Sequence, residues 1–461
     1  MPSASSSAIA DLRSAVSGPV HLRGEEGYAE HVGGFNLLSP NNPDLVVEPK
    51  DEAEVQAAVK WAVANGFTVH PQATGHGAYR TLDQGLLLKT TALNHIAVDP
   101  ASSTWTMGSG LRWSEILPHL HAAGLGAVTG SAKTVGAVGL TLGGGIGPVG
   151  RTFGMAADWV RAYRVVDANG DVLVVSPDEH PDLFWALRGG KVGLGVITEI
   201  TIEAVPMAWL YAGGIYYQGT EIDRLAHAWV DWIRDLPESV STSFAIFRLP
   251  PHVPAPLGGN TWFHLRFAYV DPEATHEQLA ERGEAFLASW RELAGPGVVD
   301  HIGVMSSDRV GEIHQEPEGP VTLWEYGDFL RDIDHDFIDA ITAVGGSGAD
   351  VPLANIEVRY HSGAYARDPE LPSAIGGRRE PFTLLVLGHP SDEVPWEVVE
   401  AAGHAVRDAA LPWQGDELNF NWANHPTPER FRDRLWSPET RDRLAAIRSS
   451  VDPNGVFEFG N

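Results

Sequence analysis

Gln72-Ala-Thr-Gly-His76-Gly77 and Thr134-Val-Gly136-Ala-Val-Gly139, the latter running on to Gly143-Gly144-Gly145-Ile-Gly147, are the stretches on which the reading of this chain turns. The first follows Phe67 to His70, a short run with the composition of a strand, and the second lies in a glycine-dense loop region. Such loops bring main-chain N–H groups close to an anion and hold a diphosphate without a lysine. Two other readings of these residues fail on context. Gly145-Ile-Gly147-Pro-Val-Gly150 has the GxGxxG spacing, and Asp167 lies not far from where a ribose-binding acid is expected. That fingerprint must open a helix within a strand-helix-strand unit. Here Val160 to Val166 and Asp171 to Val175, around Asp167-Ala-Asn-Gly170, read as a hairpin instead. Gly130-Ser-Ala-Lys133-Thr134 ends like a P-loop, yet Ala132 stands where the glycine before the lysine is required.

Upstream of the first loop, Leu45 to Val47 reads as a strand and Glu52 to Asn65 as an amphipathic helix, begun at Asp51 or Glu52 and closed by Asn65-Gly66. Thr104 to Ser109 and Trp113 to Ala123 predict a further strand and helix, and this first region closes near Pro206. Beyond it, residues 207–424 alternate aromatic strands with charged helical stretches. Trp262 to Tyr269 is the clearest strand, with others at Phe244 to Arg248, Thr322 to Tyr326, Ile356 to His361 and Phe382 to Leu387. Gln278 to Leu293 reads as a surface helix. This order predicts an antiparallel sheet backed by helices.

With 461 residues, 43% of them apolar, the chain can bury the cores of two or three domains. Sixty acidic residues against 32 basic ones give a net charge of -28, which argues against nucleic acid and anionic membrane surfaces as partners. The absence of cysteine excludes disulfides, thiolate metal sites and a cysteine nucleophile. Met1 to Gly18 has neither a basic cluster nor an apolar core, and no run of about eighteen apolar residues occurs. A cytoplasmic protein without a metal site is the expectation, and a homodimer is left open.

The two loops and four further motifs, in this order along the chain, resemble the FAD-binding flavoproteins of the vanillyl-alcohol oxidase superfamily, in their berberine bridge enzyme-like branch. The other four are Phe153-Gly-Met-Ala-Ala-Asp158, Leu183-Phe-Trp-Ala-Leu-Arg-Gly-Gly190, Gly193-Leu-Gly-Val-Ile197-Thr198 and the closing Asp452-Pro-Asn-Gly-Val-Phe457. The resemblance implies an α+β fold: a PCMH-type FAD-binding domain of two α+β subdomains at 1–206, a substrate domain at 207–424 and a segment, 425–461, returning to the first domain. It implies FAD bonded covalently to His76, with Gln72, Ala73, Thr74, Gly75, Gly77, Thr134, Val135, Gly136, Gly139, Gly143, Gly144, Gly145, Gly147, Ile197 and Asn421 around the cofactor. Three departures stand out. Ala132 occupies the place of the cysteine through which some members make a second flavin bond, so one link is the maximum. Lys191 replaces an expected glycine. Asn419, in Leu418-Asn-Phe-Asn-Trp422, replaces the tyrosine that takes a proton from an alcohol.

A neutral imidazole is a nucleophile suited to the flavin methyl group, whereas an amide is no general base near neutral pH. Period-two alternation pairs His264 with Arg266, Arg359 with His361, and Asn419 with Asn421, the last two on a C-terminal strand, as pocket candidates. Tyr326, Tyr360 and His361 are candidates for the missing base. A substrate that needs no base is the other reading, and a neutral amine satisfies it, as in hydroxynicotine oxidases. Val135 sits where a compact side chain is associated in the family with oxygen access, so molecular oxygen is the expected acceptor for a small amine or alcohol substrate. A dehydrogenase with another acceptor, a flavin-bearing protein without turnover and a nicotinamide-dependent enzyme remain as alternatives.

Overall fold

The computed structural model describes residues 4–78, 81–423 and 433–457. Its first sheet has four strands in the order Val20–Leu22, Leu45–Val47, Leu86–Lys89 and Val69–Gln72; Leu86–Lys89 is parallel to both its neighbours, and Val20–Leu22 pairs antiparallel at one edge. Helix Glu52–Asn65 forms as expected: the Asp51 carboxylate accepts the Glu54 N–H at 2.9 Å, and Gly66 closes it at φ 73°. The strand expected at Phe67 to His70 begins two residues later, because Phe67 still belongs to the helix cap and donates its N–H to Ala62 at 2.9 Å. That shift places Gln72 on the strand end and His76 in the turn beyond it.

A second, antiparallel sheet has five strands in the order Ile96–Asp99, Thr104–Gly108, Val196–Glu203, Val160–Val166 and Val172–Val175. The hairpin turns at Gly170, φ 75°, so the residues after the GxGxxG stretch are strands and not a crossover helix. Helix Trp113–Ala122 buries Trp113, Ile116, Leu117 and Leu120 in the same core.

Beyond Pro206 the chain enters an eight-stranded antiparallel sheet. Its path runs Val299–Asp300, Trp209–Gln218, Thr261–Tyr269, Val240–Arg248, Asn355–Tyr360, Phe382–Gly388 and Trp324–Leu330, while Gly303–Ser306 also pairs with Trp209–Gln218. Trp209–Gln218, buried on both faces in its middle, has no period-two alternation, which is why pattern alone did not separate it. One face is covered by helices Ile222–Trp232, His276–Ala294, His335–Gly345 and Trp396–Ala410. Phe244 anchors that layer, its ring 5.0 Å from Trp229 and 5.2 Å from Phe263.

The opposite face turns toward the first region. Cross-strand register aligns Arg359, Ser243 and Arg266 in one row and Glu357, Ala245 and His264 in the next, so all share that face. Tyr326 does not: it aligns with Val386 and Ile356 on the helix-covered side. Tyr360, the last residue of its strand, aligns with Thr242 and Phe382, yet its ring packs against Arg151 of the first region at 3.8 Å.

The last helix, Pro438–Val451, returns to the first region: Arg448 donates to the carbonyls of Val192 and Gly190, each at 2.9 Å, and Val69 donates to Val456 at 2.7 Å. The boundary expected at 424–425 and residues 458–461 lie outside the described residues. Among the described residues no helix is long and apolar enough to cross a membrane.

Phe244→Ala removes a fully buried ring from beneath Trp229. It is expected to cost about 3–5 kcal/mol, read as a lowered urea midpoint for the transition that quenches buried tryptophan.

Candidate cofactor and substrate site

The two glycine loops meet at His76. Its ring lies face to face with Phe35, centroids 3.6 Å apart, while Nδ1 is 2.9 Å from the Thr74 hydroxyl and Nε2 is 3.2 Å from the Thr134 hydroxyl. Gly136 donates its N–H to Thr74 Oγ1 at 3.4 Å, so one threonine serves both loops. Gly75, φ 74°, takes the left-handed conformation beside Gly34, where a Cβ would lie 2.9 Å from the Gly34 Cα. The imidazole is partly buried, and burial together with the Arg112 charge pushes its pKa down to about 3. It is therefore neutral at any physiological pH.

The glycines of the second loop divide into two kinds. Gly139, in the short helix Ala137–Leu142, faces open space on the side a Cβ would fill. Gly143, Gly144, Gly145 and Gly147 instead make room for the protein itself. Added Cβ atoms there would lie 2.2 Å from Asn421 Oδ1, 3.1 Å from Asn419 Nδ2, 2.6 Å from the Ala156 Cβ and 1.9 Å from the Thr129 carbonyl. Ala73 packs on Gly136 at 3.3 Å by the same measure. Gln72 is occupied as a scaffold, since its Oε1 accepts from Lys89 at 3.1 Å. Val135 is partly buried beside Thr134, and Gly77 is exposed at the turn. Ile197 is buried opposite Val165 in the five-stranded sheet.

Asn419 and Asn421 do not lie on a strand. Asn419 caps a 3-10 turn, Phe420–Trp422, that contains Asn421: the buried Asn419 side chain accepts the Asn421 N–H at 3.0 Å and donates to the Gly376 carbonyl at 3.4 Å. Asparagine caps such turns with its own carbonyl, and that competes with extended structure. Asn421 reaches the second loop, donating to the Leu140 carbonyl at 2.8 Å and accepting from Lys191 Nζ at 2.7 Å. Lys191 has φ 57°, which accounts for the glycine expected there. Its ammonium sits between the loops, 3.7 Å from where a Gly77 Cβ would be, and burial lowers its pKa to about 8.

The candidate bases fare differently. The Tyr326 hydroxyl donates to Asp328 at 2.6 Å in the helix-side core, where burial and that carboxylate raise its pKa above the ordinary tyrosine range. Tyr360 lies under the Arg151 guanidinium, 3.8 Å away. His361, one residue past its strand, is buried with Nε2 3.0 Å from the Thr383 hydroxyl; burial and the Arg359 charge push its pKa down to about 3.

His361 and Arg359 line a narrow cleft between Gly147-Pro148 of the second loop and the sheet, together with Arg266, Ser243 and His314. At its floor Glu357 receives Arg266 Nη1 at 2.5 Å, Arg359 Nε at 2.8 Å and the Ser243 hydroxyl at 3.0 Å. Burial alone raises the Glu357 carboxyl, but the two guanidinium charges outweigh it and hold the group well below the usual carboxylate range. Arg359 also donates to Ser131 at 3.3 Å, tying the sheet to the first region. Sequence reading found His264, Arg266, Arg359 and His361 but not Glu357, although two-residue spacing from Arg359 marks it. Phe35 and His314 carried no local signal.

An extended anionic cofactor fits this arrangement: facing loops rich in main-chain amides, open space at Gly139, an ammonium between them and a neutral imidazole at the junction. Residues 43–176 match the family model described as an FAD binding domain. The chain is an FAD-linked oxidoreductase. It is 26% identical to (R)-6-hydroxynicotine oxidase of Paenarthrobacter nicotinovorans over 465 residues, covering 97% of this chain and 98% of that protein. The crystal structure of 6-hydroxy-D-nicotine oxidase from Arthrobacter nicotinovorans superposes with a TM-score of 0.81 at 22% identity, covering 96% of each chain. The Physcomitrella patens berberine bridge enzyme-like protein 1 superposes with a TM-score of 0.82 at 18% identity, covering 98% of each. The oxidoreductase thus has the fold of the PCMH-type oxidases that its motifs resemble.

Glu357→Gln in this oxidoreductase leaves two buried guanidinium groups without their counter-charge and is expected to cost about 3–5 kcal/mol at pH 7. Because the folded-state pKa of Glu357 is depressed, its stabilisation is complete above the unfolded value of about 4.3 and is lost as pH falls toward the folded one. The stability gap between wild type and variant, measured by urea unfolding, should therefore narrow below about pH 4.3.

Proposed function

We propose that this chain is an oxidase that carries FAD on His76, takes a hydride from a small amine or alcohol and passes the electrons to molecular oxygen. The observation that carries the reading is the neutral imidazole held between both glycine loops, stacked on Phe35 and contacted at each nitrogen by a threonine hydroxyl. A hydroxyl both donates and accepts, so either tautomer is satisfied and one ring nitrogen keeps the lone pair that covalent attachment requires. The absence of cysteine excludes a cysteinyl link and is consistent with a histidyl one. FAD supplies the hydride acceptor and the route to oxygen; the chain supplies orientation, charge and exclusion of water.

The residues around the cleft favour an amine. Asn419 is an amide, Tyr326 belongs to the helix-side face, and His361 is a weak base already bonded to Thr383, while Tyr360 lines the cleft under the Arg151 guanidinium. Asn419, Tyr326 and His361 do not suit the removal of an alcohol proton near pH 7, and Tyr360 is the one of these candidates that keeps the alcohol reading as the second one. A neutral amine brings its own lone pair to assist loss of the hydride and needs no such base. The hydroxynicotine oxidase likeness over the whole chain supports the same direction, and the compact Val135 beside the loop favours oxygen as acceptor.

After acid precipitation the wild-type pellet should remain yellow while that of His76→Ala is colourless; flavin retained in the variant pellet contradicts attachment at His76. In an anaerobic substrate screen, amines should bleach the flavin and air should restore it within a turnover. Bleaching by alcohols or sugars alone overturns the amine preference, and recovery with quinones or dyes but not with air makes the enzyme a dehydrogenase.

A further inference from the structure

The cleft between the second glycine loop and the sheet is positively charged in a chain whose net charge is -28. Arg151, Arg266 and Arg359 line it. Glu357 neutralises one charge, and Glu316 approaches Arg359 from the half-exposed rim at 3.8 Å. Arg151 has no carboxylate partner among the described residues: it donates to the carbonyls of Val240 and His361 at 2.7 Å, Leu236 at 3.1 Å and Pro237 at 3.2 Å, and lies over the Tyr360 ring at 3.8 Å. Its charge is solvated by carbonyl dipoles and not cancelled. The two lining histidines add no positive charge, since burial and the neighbouring guanidiniums keep His314 and His361 neutral down to about pH 3.

His314 is a hydrogen-bond acceptor toward the recess: a neutral ring whose Nε2 faces the Glu357 carboxylate carries its proton there, which leaves the lone pair on Nδ1. It is 4% exposed, its Nε2 lies 3.4 Å from Glu357, and its buried Nδ1 has no hydrogen-bond partner among the described residues. A buried acceptor in that condition is completed by a donor such as an ordered water, so the carboxylate reading rests on the guanidiniums and not on this ring. The recess holds about 30 Å³, room for one small polar group and not for a whole substrate or a tetrahedral oxyanion.

We propose that this recess takes a carboxylate group of the substrate, so that the enzyme acts on small amines or alcohols bearing a carboxylate. The inference rests on the oxidase reading above and adds the substrate's anionic handle to it. Guanidinium forks match a planar carboxylate, and uncancelled positive charge attracts it during encounter. The same charge disfavours an ammonium nearby and thereby favours the neutral amine that transfer of a hydride requires.

Calorimetric titration of the holoenzyme in chloride-free buffer with benzoate, benzamide and benzylamine separates this inference from the oxidase reading, because it registers binding without turnover. Benzoate should bind at least tenfold more tightly than benzamide, which has its shape without its charge, and benzylamine should be the weakest. Arg359→Gln, which leaves Arg266 on Glu357, should erase most of the benzoate preference. Arg359→Lys, which keeps the charge and loses the planar fork, should reduce it if Arg359→Gln fails to retain cofactor. Equal affinity for benzoate and benzamide, or preference for benzylamine, overturns the proposal even if an uncharged amine bleaches the flavin. A benzoate preference in an enzyme that no amine or alcohol reduces leaves the recess assigned and sinks the oxidase reading instead.

Discussion

Two loops 58 residues apart are held at hydrogen-bond distance across one imidazole, and most of the first region is arranged to make that approach feasible. Gly75 and Gly136 let main chain meet main chain and methyl groups where a side chain would intervene. Phe35 closes one face of the ring with an aromatic plane, which lowers the polarity around it and keeps the imidazole uncharged. A charged histidine there would face Arg112 in a poorly solvated position. Neutrality is thus a consequence of packing as much as of intrinsic basicity.

The seam between the first region and the large sheet is built on charge. Buried ions are stable only when paired or well hydrogen-bonded, and the chain uses both solutions. Glu357 gathers Arg266 and Arg359 into a cluster on the sheet, and Arg359 continues to Ser131 on the opposite side of the cleft. Arg151 and Arg188 are held by carbonyl groups, Arg188 by those of Ala157, Leu371 and Pro372. An acidic surface therefore surrounds a positive interior cleft, and the field inside it is set by a handful of guanidiniums whose partners are fixed by the fold.

The positions that depart from the resembling family are joined in space. Lys191 takes up the left-handed conformation that a glycine would adopt freely, and its ammonium reaches Asn421. Asn421 in turn binds the carbonyl of Leu140, and Asn419 caps the turn that presents it. The two asparagines thereby brace the second loop against the end of the sheet domain. Their amides are suited to that task, since each offers a donor and an acceptor without a charge to desolvate.

Local pattern determined a good part of this protein: helix Glu52–Asn65 with both caps, the hairpin around Gly170, most sheet strands and the glycine loops with His76 all follow from capping chemistry, glycine conformation and period-two alternation. Those signals are short-ranged, and they survive in the fold because the same local forces act there. Only the tertiary structure decided which polar residues work together. Tyr326 turned away because register, set by pairing with distant strands, chose its face; Asn419 left the extended state because its own side chain caps a turn. Phe35 on His76 and His314 on Glu357 are contacts between segments far apart in the chain, selected by close packing, for which no neighbouring residue carries a trace.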